Sequence, residues 1–165
     1  MNQYVEHCLK PIYDENSKIL ILGTMPSPKS RENHFYYAHP QNRFWKILSE
    51  LFHEKLPADN NERKELLIRH HIALWDVLHS CTISGADDSS IKKPEANDIR
   101  ALLDKTNITA VFTTGTKAYT LYNQLCFAQT QVKAHPLPST SPANRRYYTY
   151  EDILTEYSVL LAYVQ

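Results

Sequence analysis

The sequence predicts an α/β fold in which a mostly parallel sheet is covered by helices on both faces. Short, continuous apolar runs alternate along the chain with segments that have the periodicity of a helix. Parallel strands need long crossover connections, which helices usually supply, and strands covered on both faces are apolar throughout. The 165 residues contain no internal repeat, low-complexity tract or linker, so we expect a single domain over residues 1–165.

Four segments have the composition of buried strands. KILILG (18–23) is a continuous apolar run that a glycine ends. IALWDVL (72–78) and AVFTTG (110–115) have the same character, and TQVKAHPL (130–137) is a weaker fourth candidate that runs into prolines. In a parallel α/β sheet, ligands bind at the carboxyl ends of the strands. The loops after these four segments are therefore the candidates for a functional site.

Five further segments are predicted to be helical. Apolar residues that begin at Phe44 recur at i+3, i+4, i+7 and i+8 and form one face of a helix. Residues 59–71 begin with side chains that cap helices, and shorter apolar stripes occupy 99–103 and 118–125. Residues 150–164 close the chain as a helix, or as a helix with a final extended segment.

Composition and charge argue against several classes of protein. The net charge is zero, which argues against binding to nucleic acid through bulk positive charge but allows a local basic rim. No apolar run is long enough to span a bilayer, and the N-terminal segment lacks the order of a secretory signal. The three cysteines are widely spaced, which indicates reduced thiols. We expect a cytoplasmic monomer that makes no contact with membranes.

The loops also lack the signatures of several common active sites. Glycine-rich motifs that bind nucleotide phosphates are absent, and so is the G-x-S-x-G motif of serine hydrolases. The adjacent His70 and His71 would point about 100° apart on a helix, and the other histidines lack the spacing of metal ligands. We therefore predict that the protein uses no metal and no cofactor.

Prolines are concentrated in the loops that follow the first and fourth predicted strands. Six of the nine prolines lie in these two loops or at Pro40 between them. Such loops suit a preorganised pocket, although prolines also simply punctuate turns. Acidic residues are scarce there, whereas amides, hydroxyls, imidazole and aromatic rings are frequent. A pocket of this composition suits the recognition of a flat heterocycle better than the activation of a strong nucleophile.

Three motifs in these loops together resemble the uracil-DNA glycosylase superfamily, and most of all its hypoxanthine-DNA (deoxyinosine) glycosylase branch. They are LGTMPS (22–27), FYYAHPQNRFW (35–45) and LPSTSPANRR (137–146), and residues 76–91 resemble the middle loop of that branch. The resemblance implies a three-layer α/β/α sandwich with a central four-stranded parallel sheet. It also implies a monofunctional enzyme of base excision repair that hydrolyses the bond between a damaged base and deoxyribose in DNA.

The resemblance assigns roles to individual residues. Asn42 matches the asparagine that positions the attacking water in the hypoxanthine branch, and Tyr37 matches the aromatic residue that stacks on the extruded base. Met25 and Leu137 replace residues that bind water and the leaving pyrimidine in uracil-specific relatives, which argues against uracil as the substrate. The substrate pocket would consist of Thr24, Met25, Pro26, Ser27, Tyr37, His39, Ser139 and Ser141, and the contacts with DNA would come from Asn144, Arg145 and Arg146.

Alternatives remain open at the level of residues and of function. Asn42 also fits the N-cap of the helix that begins near Phe44, and both roles can coexist. Tyr37 also fits core packing, and Asp87 or Asp88 could act as a base in place of Asn42. The substrate could be uracil or a mismatched base. The protein could instead be a module that binds damaged or single-stranded nucleic acid without cleaving it.

Overall fold

The computed structural model describes residues 2–165, which form two separate sheets. The strands are β1 (Asn2–Glu6), β2 (Ile19–Gly23), β3 (Ile72–Asp76), β4 (Leu78–Ser84), β5 (Asp87–Ala96), β6 (Ala110–Thr114) and β7 (Ala134–Leu137). The larger sheet has the order β3-β2-β6-β7, and all of its pairings are parallel. The smaller sheet has the order β1-β4-β5 and is antiparallel. The predicted four-stranded parallel sheet is therefore confirmed.

Helices cover both faces of the parallel sheet, as its composition requires. The helices are α1 (Pro28–Asn33), α2 (Phe44–Leu51), α3 (Asn60–Arg69), α4 (Ile99–Asp104), α5 (Thr116–Leu125), α6 (Phe127–Thr130) and α7 (Tyr150–Tyr157). Short 3-10 helices lie at Pro142–Arg146 and Ser158–Ala162. Each segment that was predicted to be helical contains a helix, whereas α1, α6 and the first 3-10 helix were not predicted. No helix within residues 2–165 is long and apolar enough to cross a membrane.

Alternate residues of β2 enter two different cores. Ile19 and Ile21 pack with α2, α3 and α7 on one face of the sheet, whereas Leu20 and Leu22 pack with α4 and α5 on the other. All four side chains are fully buried. Burial on both faces explains why this strand is a continuous apolar run rather than an alternation of apolar and polar residues.

The interpretation of residues 72–78 as one strand was wrong. The chain leaves the parallel sheet at Val77 and enters the antiparallel sheet at Leu78. Asn97 stabilises this junction, because its side-chain amide donates to the carbonyl oxygens of Asp76, at 2.9 Å, and Leu78, at 3.0 Å. Its backbone N–H also donates to the carbonyl oxygen of Val77. Most of 76–91, which was expected to be a loop, therefore consists of strand.

Three other predicted segments differ from the structure in smaller ways. The candidate strand over 130–137 is shorter than expected, because Thr130 still belongs to α6 and β7 begins at Ala134. The loop after β2 contains α1, which Ser27 caps by accepting a hydrogen bond from the Ser30 N–H. The C-terminal segment continues from α7 as a 3-10 helix rather than as an extended segment.

The hydrogen bonds of Asn97 at this junction lead to a prediction about the stability of the fold. We expect Asn97→Ala to lower the free energy of unfolding by about 1–3 kcal/mol, because it leaves two buried carbonyl oxygens without their donor. Asn33→Ala is the matched control, since the Asn33 amide also donates to a backbone carbonyl but on an exposed helix end. Urea denaturation of both variants measures the difference. Equal, small losses would show that the junction does not depend on the Asn97 side chain.

Candidate active site

A cavity of about 180 Å³ lies at the carboxyl ends of β2, β3 and β6, where the proline-containing loops meet. The nine residues that were predicted to hold the substrate or the water all line it, namely Thr24, Met25, Pro26, Ser27, Tyr37, His39, Asn42, Ser139 and Ser141. Three loops that are distant in sequence therefore converge on one site. Asn144, Arg145 and Arg146 lie beside this cavity, on the 3-10 helix Pro142–Arg146.

Asn42 connects two of these loops through its side-chain oxygen. Its Oδ1 accepts hydrogen bonds from the Phe44 N–H, at 2.9 Å, and from the Thr140 hydroxyl, at 2.7 Å. The bond to Phe44 satisfies the first N–H of α2, but the N-cap of this helix is Arg43, so the alternative prediction that Asn42 is the N-cap was wrong by one residue. Both lone pairs of Oδ1 are therefore occupied. The Nδ2 group makes no hydrogen bond within residues 2–165, so it is the part of the amide that can bind a ligand or water.

Tyr37 is held rigidly at the wall of the cavity. One face of its ring stacks on Phe44, with centroids 4.0 Å apart and planes 17° apart. Its hydroxyl lies 3.2 Å from Thr114 Oγ1. Burial and the nearby charge of Asp76 raise the pKa of Tyr37 far above its ordinary value, so the phenol stays neutral. Its backbone φ of +52° is unusual for a residue with a side chain, and such strain is often found at functional sites.

The first loop supplies a mostly apolar wall. Thr24 and Pro26 are buried, and Met25 is half-buried and packs against the core on the α4–α5 side of the sheet. Arg31 donates to the Pro26 carbonyl oxygen at 3.0 Å, and this bond holds the loop against α1. The Ser27 hydroxyl is engaged in capping α1. The effect of Met25 on substrate choice stays a prediction.

The loop after β7 is tied together by its own polar groups. Ser139 Oγ accepts from the Ser141 N–H at 3.1 Å, and Ser141 in turn caps the 3-10 helix. The Asn144 amide donates to the Ser139 carbonyl oxygen at 2.9 Å. Arg145 and Arg146 are exposed at the end of this helix. Asn144 thus makes an internal bond that shapes the loop, whereas the side chains of the two arginines are exposed to solvent.

His39 presents one ring nitrogen to its own loop. Its Nδ1 accepts from the Gln41 N–H at 3.1 Å, so in the neutral ring the proton lies on Nε2. The half-buried side chain lines the cavity. His39 can therefore act as a hydrogen-bond donor through Nε2 without becoming charged.

Sequence reasoning missed Asp76, which lies at the end of β3 and lines the cavity. Its Oδ2 is 2.8 Å from Nε2 of His7, and both side chains are almost completely buried. Its other oxygen, Oδ1, lies over Gly23, so close that an added Cβ there would come within 2.5 Å of it. The available signal was a single acidic residue at the carboxyl end of an otherwise apolar strand.

Asp88 is the second carboxyl group that lines the cavity. Although Asp88 is an exposed residue, protein atoms packed around its carboxyl group raise the pKa of this group to about 6, a shift that Lys117 opposes and that Asp87 and Asp76 increase. A group that titrates near neutrality can exchange protons with a substrate or a water molecule. The hypothesis that Asp88 serves as a base remains a prediction.

Comparison with known proteins identifies the family of this pocket. The family model of the Uracil DNA glycosylase superfamily matches residues 10–160. The chain belongs to the uracil DNA glycosylase superfamily. A protein of Methanosarcina barkeri (strain Fusaro / DSM 804) named hypoxanthine DNA glycosylase is 38% identical over 140 residues, which are 82% of this chain and 86% of the relative. A protein of the same name from Methanosarcina acetivorans is 35% identical over 138 residues, with the same two coverages.

The similarity extends to three-dimensional structure. The solution NMR structure of a candidate uracil DNA glycosylase from Methanosarcina acetivorans superposes with a TM-score of 0.81 at 30% identity, and covers 99% of both chains. The resemblance that the three sequence motifs predicted is therefore confirmed for the superfamily. The two named relatives also agree with the predicted hypoxanthine branch.

A basic groove in this superfamily member adjoins the base-sized cavity. It shares Tyr37, His39 and Asn42 with the cavity. Among the residues described, no acidic residue lines it. Its four basic residues are Arg43, Lys46, Arg63 and Arg145. Arg43 is almost buried and donates to the Tyr148 carbonyl oxygen at 2.9 Å. Burial, with the charge of Arg145, lowers the pKa of Arg43. The groove therefore provides a local positive surface on a chain of zero net charge.

No group of three or more histidine, cysteine, aspartate or glutamate side chains in the described part of the chain is arranged to hold a metal ion.

The shifted pKa of Asp88 predicts how stability depends on pH. The folded protein keeps the Asp88 proton up to about pH 6, whereas the unfolded chain loses it near pH 3.8, so Asp88 lowers the stability progressively as the pH rises between these values. We expect Asp88→Asn to be slightly more stable than the wild type at pH 8, because solvent screens charges at this exposed position, and equally stable at pH 3.5. Chemical denaturation at both pH values measures this. Glu156→Gln, at an exposed site on α7, is the control, and an equal effect of both substitutions would contradict the prediction.

Proposed function

We propose that this chain is a monofunctional DNA glycosylase that hydrolyses the N-glycosidic bond of hypoxanthine, the base of deoxyinosine, after it has been flipped out of DNA. The observation that carries the proposal is the convergence of Asn42, Tyr37 and the two proline-containing loops on one small cavity beside a basic groove. The names of the two relatives support the same substrate.

The size of the cavity supports the binding of a single base. At about 180 Å³ it is smaller than the 300–1,000 Å³ that is typical of pockets for drug-sized ligands. A base within a duplex cannot reach such a pocket, so the enzyme must flip the nucleotide and recover the cost of unstacking. Because Phe44 covers one face of Tyr37, only the other face is available for the base. Stacking of this kind contributes roughly 1–3 kcal/mol.

Asn42 can position the attacking water through Nδ2 rather than through Oδ1. An N–H of Nδ2 can donate to the water oxygen and leave its second lone pair free for attack. This arrangement orients water without making it a stronger nucleophile. Little activation is needed, because the sugar in the transition state resembles an oxocarbenium ion and is already electrophilic. A neutral amide therefore suits this reaction.

The leaving base gains negative charge as the bond breaks, and fixed donors in the pocket can stabilise it. His39 can donate from Nε2, and backbone N–H groups of the loops can contribute in the same way. Such donors are effective because they are already oriented towards the place where the charge develops.

Two adjoining basic surfaces, which share Arg145, would hold the DNA backbone. The groove that contains Arg43 and Lys46 lies next to the cavity, and Arg145 and Arg146 extend from the loop after β7, where they can contact phosphates or enter the minor groove. Because only a few basic residues take part, we expect binding of modest affinity that weakens as salt increases.

The direct test uses duplexes that each carry one deoxyinosine, one deoxyuridine or no damaged base. Purified protein is incubated with each duplex, and alkali then reveals abasic sites. We expect strand breaks at deoxyinosine. Cleavage at deoxyuridine alone would replace hypoxanthine with uracil as the substrate. Retained binding without any cleavage would instead favour a module that only recognises damaged DNA.

Substitution of Asn42 by aspartate separates the structural role of Oδ1, which holds the Phe44 N–H and the Thr140 hydroxyl, from the proposed catalytic role of Nδ2. Aspartate keeps an oxygen for the Phe44 N–H and the Thr140 hydroxyl but replaces the free Nδ2 donor. We expect Asn42→Asp to lower kcat on deoxyinosine by about 100-fold with an unchanged Tm, because the water loses its position. Single-turnover kinetics and thermal unfolding provide the two measurements.

Gln41→Glu is the matched control for this substitution. It adds the same negative charge at an exposed neighbouring position, and therefore reports any repulsion of the DNA backbone. If both variants lose activity equally, the loss comes from charge rather than from the Asn42 donor. Full activity of Asn42→Asp would leave Asn42 only its structural role.

A further inference from the structure

The buried pair of His7 and Asp76 has no part in the mechanism described so far. His7 follows β1, and Asp76 ends β3, so two different sheets bring the pair together. His7 Nε2 lies 2.8 Å from Asp76 Oδ2, and the two side chains are 2% and 6% exposed. A buried carboxyl group is costly unless it is paired, so this pair needs an explanation.

The hydrogen bonds of His7 determine which atom carries the proton. Its Nδ1 accepts from the Leu9 N–H at 3.2 Å, and a nitrogen that accepts cannot carry a proton. The proton of the neutral ring therefore lies on Nε2, which donates to Asp76 Oδ2. As a result, Oδ2 is engaged as an acceptor and the orientation of the carboxyl group is fixed.

The second oxygen of Asp76 faces the cavity. Oδ1 lies over Gly23, close to the Tyr37 hydroxyl, and makes no hydrogen bond within residues 2–165. It is thus a fixed acceptor without a donor on the floor of a pocket whose only other carboxyl group, among the residues described, is that of the exposed Asp88. A ligand that fills the pocket must supply a donor at this position.

We propose that Asp76 determines the specificity of the enzyme by accepting a hydrogen bond from a ring N–H of the flipped base, and that His7 is its positioning residue. This inference rests on the proposed glycosylase function. A purine enters with the edge opposite its sugar directed at the floor, so the atom that meets Asp76 Oδ1 is N1. Hypoxanthine carries a hydrogen on N1, whereas adenine has a lone pair there.

Deamination therefore changes the contact from repulsive to attractive. With adenine in the pocket, two acceptors would face each other without a donor, and a buried, unpaired acceptor is costly. Hypoxanthine supplies the missing hydrogen. The same contact would favour any base that has an N–H at the corresponding ring position, so the size of the cavity must exclude guanine by its additional amino group.

Substitution of Asp76 by asparagine gives a sharp test, because His7 would orient the new amide. The donor at His7 Nε2 requires the amide oxygen on its own side, which directs the Nδ2 group into the pocket. The acceptor on the floor becomes a donor, which pairs with N1 of adenine and opposes N1–H of hypoxanthine. We expect the ratio of deoxyinosine to deoxyadenosine excision to fall by at least about tenfold in Asp76→Asn.

A modified substrate tests the same contact in the unaltered protein. N1-methyl-deoxyinosine keeps the oxygen of hypoxanthine but lacks the N1 hydrogen. We expect wild-type protein to excise it at least about tenfold more slowly than deoxyinosine. This measurement decides the matter if Asp76→Asn does not fold, which thermal unfolding would reveal.

Two substitutions of His7 test its role as the residue that positions Asp76. We expect His7→Ala to reduce the discrimination between deoxyinosine and deoxyadenosine, and His7→Gln to retain more of it, because glutamine can still donate to Oδ2. A purely structural role would lower the stability in both variants without changing the ratio of the two substrates.

The outcomes distinguish this inference from the proposed function. If the wild-type protein does not excise deoxyinosine, the proposed function fails, and the specificity experiment has no signal to change. If the wild type excises deoxyinosine but Asp76→Asn keeps its substrate ratio, the inference about Asp76 is overturned while the glycosylase function stands. Loss of all activity in Asp76→Asn, together with normal excision of N1-methyl-deoxyinosine by the wild type, would instead indicate that Asp76 acts on water.

Discussion

The close approach of three strand ends at Gly23 is the constraint on which the candidate site depends. A Cβ at this position would lie 2.5 Å from Asp76 Oδ1, 3.2 Å from the Tyr37 hydroxyl and 3.6 Å from Thr114 Oγ1. These groups come from β3, from the loop before α2 and from β6, and only the absence of a side chain on β2 lets them meet. Gly23 therefore has a steric role rather than a conformational one. The floor of the pocket, with its carboxyl oxygen, phenol and hydroxyl, exists because this residue has no side chain.

The smaller sheet explains how a buried carboxyl group is tolerated at that floor. β1 pairs with β4, and only Val77 separates β4 from the end of β3, so the chain segment that follows β1 passes directly over the end of β3. The path of this segment places His7 against Asp76 and buries both side chains. The antiparallel sheet is thus more than an addition to the edge of the fold. It provides the donor without which Asp76 would be an unpaired buried acid.

The sequence predicted the parallel sheet well because burial on both faces leaves a strong local signal. It failed on the antiparallel sheet for a physical reason. β5 is mostly exposed and contains Pro94, and β1 has a single buried residue, Val5, so neither has an apolar run or a clear alternation. Such edge strands are defined by their partners rather than by their own composition. The motifs located the pocket residues, but the pairing of His7 with Asp76 spans 69 positions and could not be inferred from either residue alone.

The two hydrogen bonds of Asn42 bear on how the choice of base and the attack by water are divided between residues in the proposed mechanism. Oδ1 is occupied by the Phe44 N–H and the Thr140 hydroxyl, and these two bonds fix Nδ2 in one direction. In the proposed mechanism the group that positions water is therefore neutral, as suits a sugar that becomes electrophilic by itself. A carboxylate against the base has the opposite consequence, because it repels the negative charge that the base gains as it leaves. Asp76 can therefore help only by choosing which base is held, and its benefit must appear as discrimination between bases and not as faster bond cleavage.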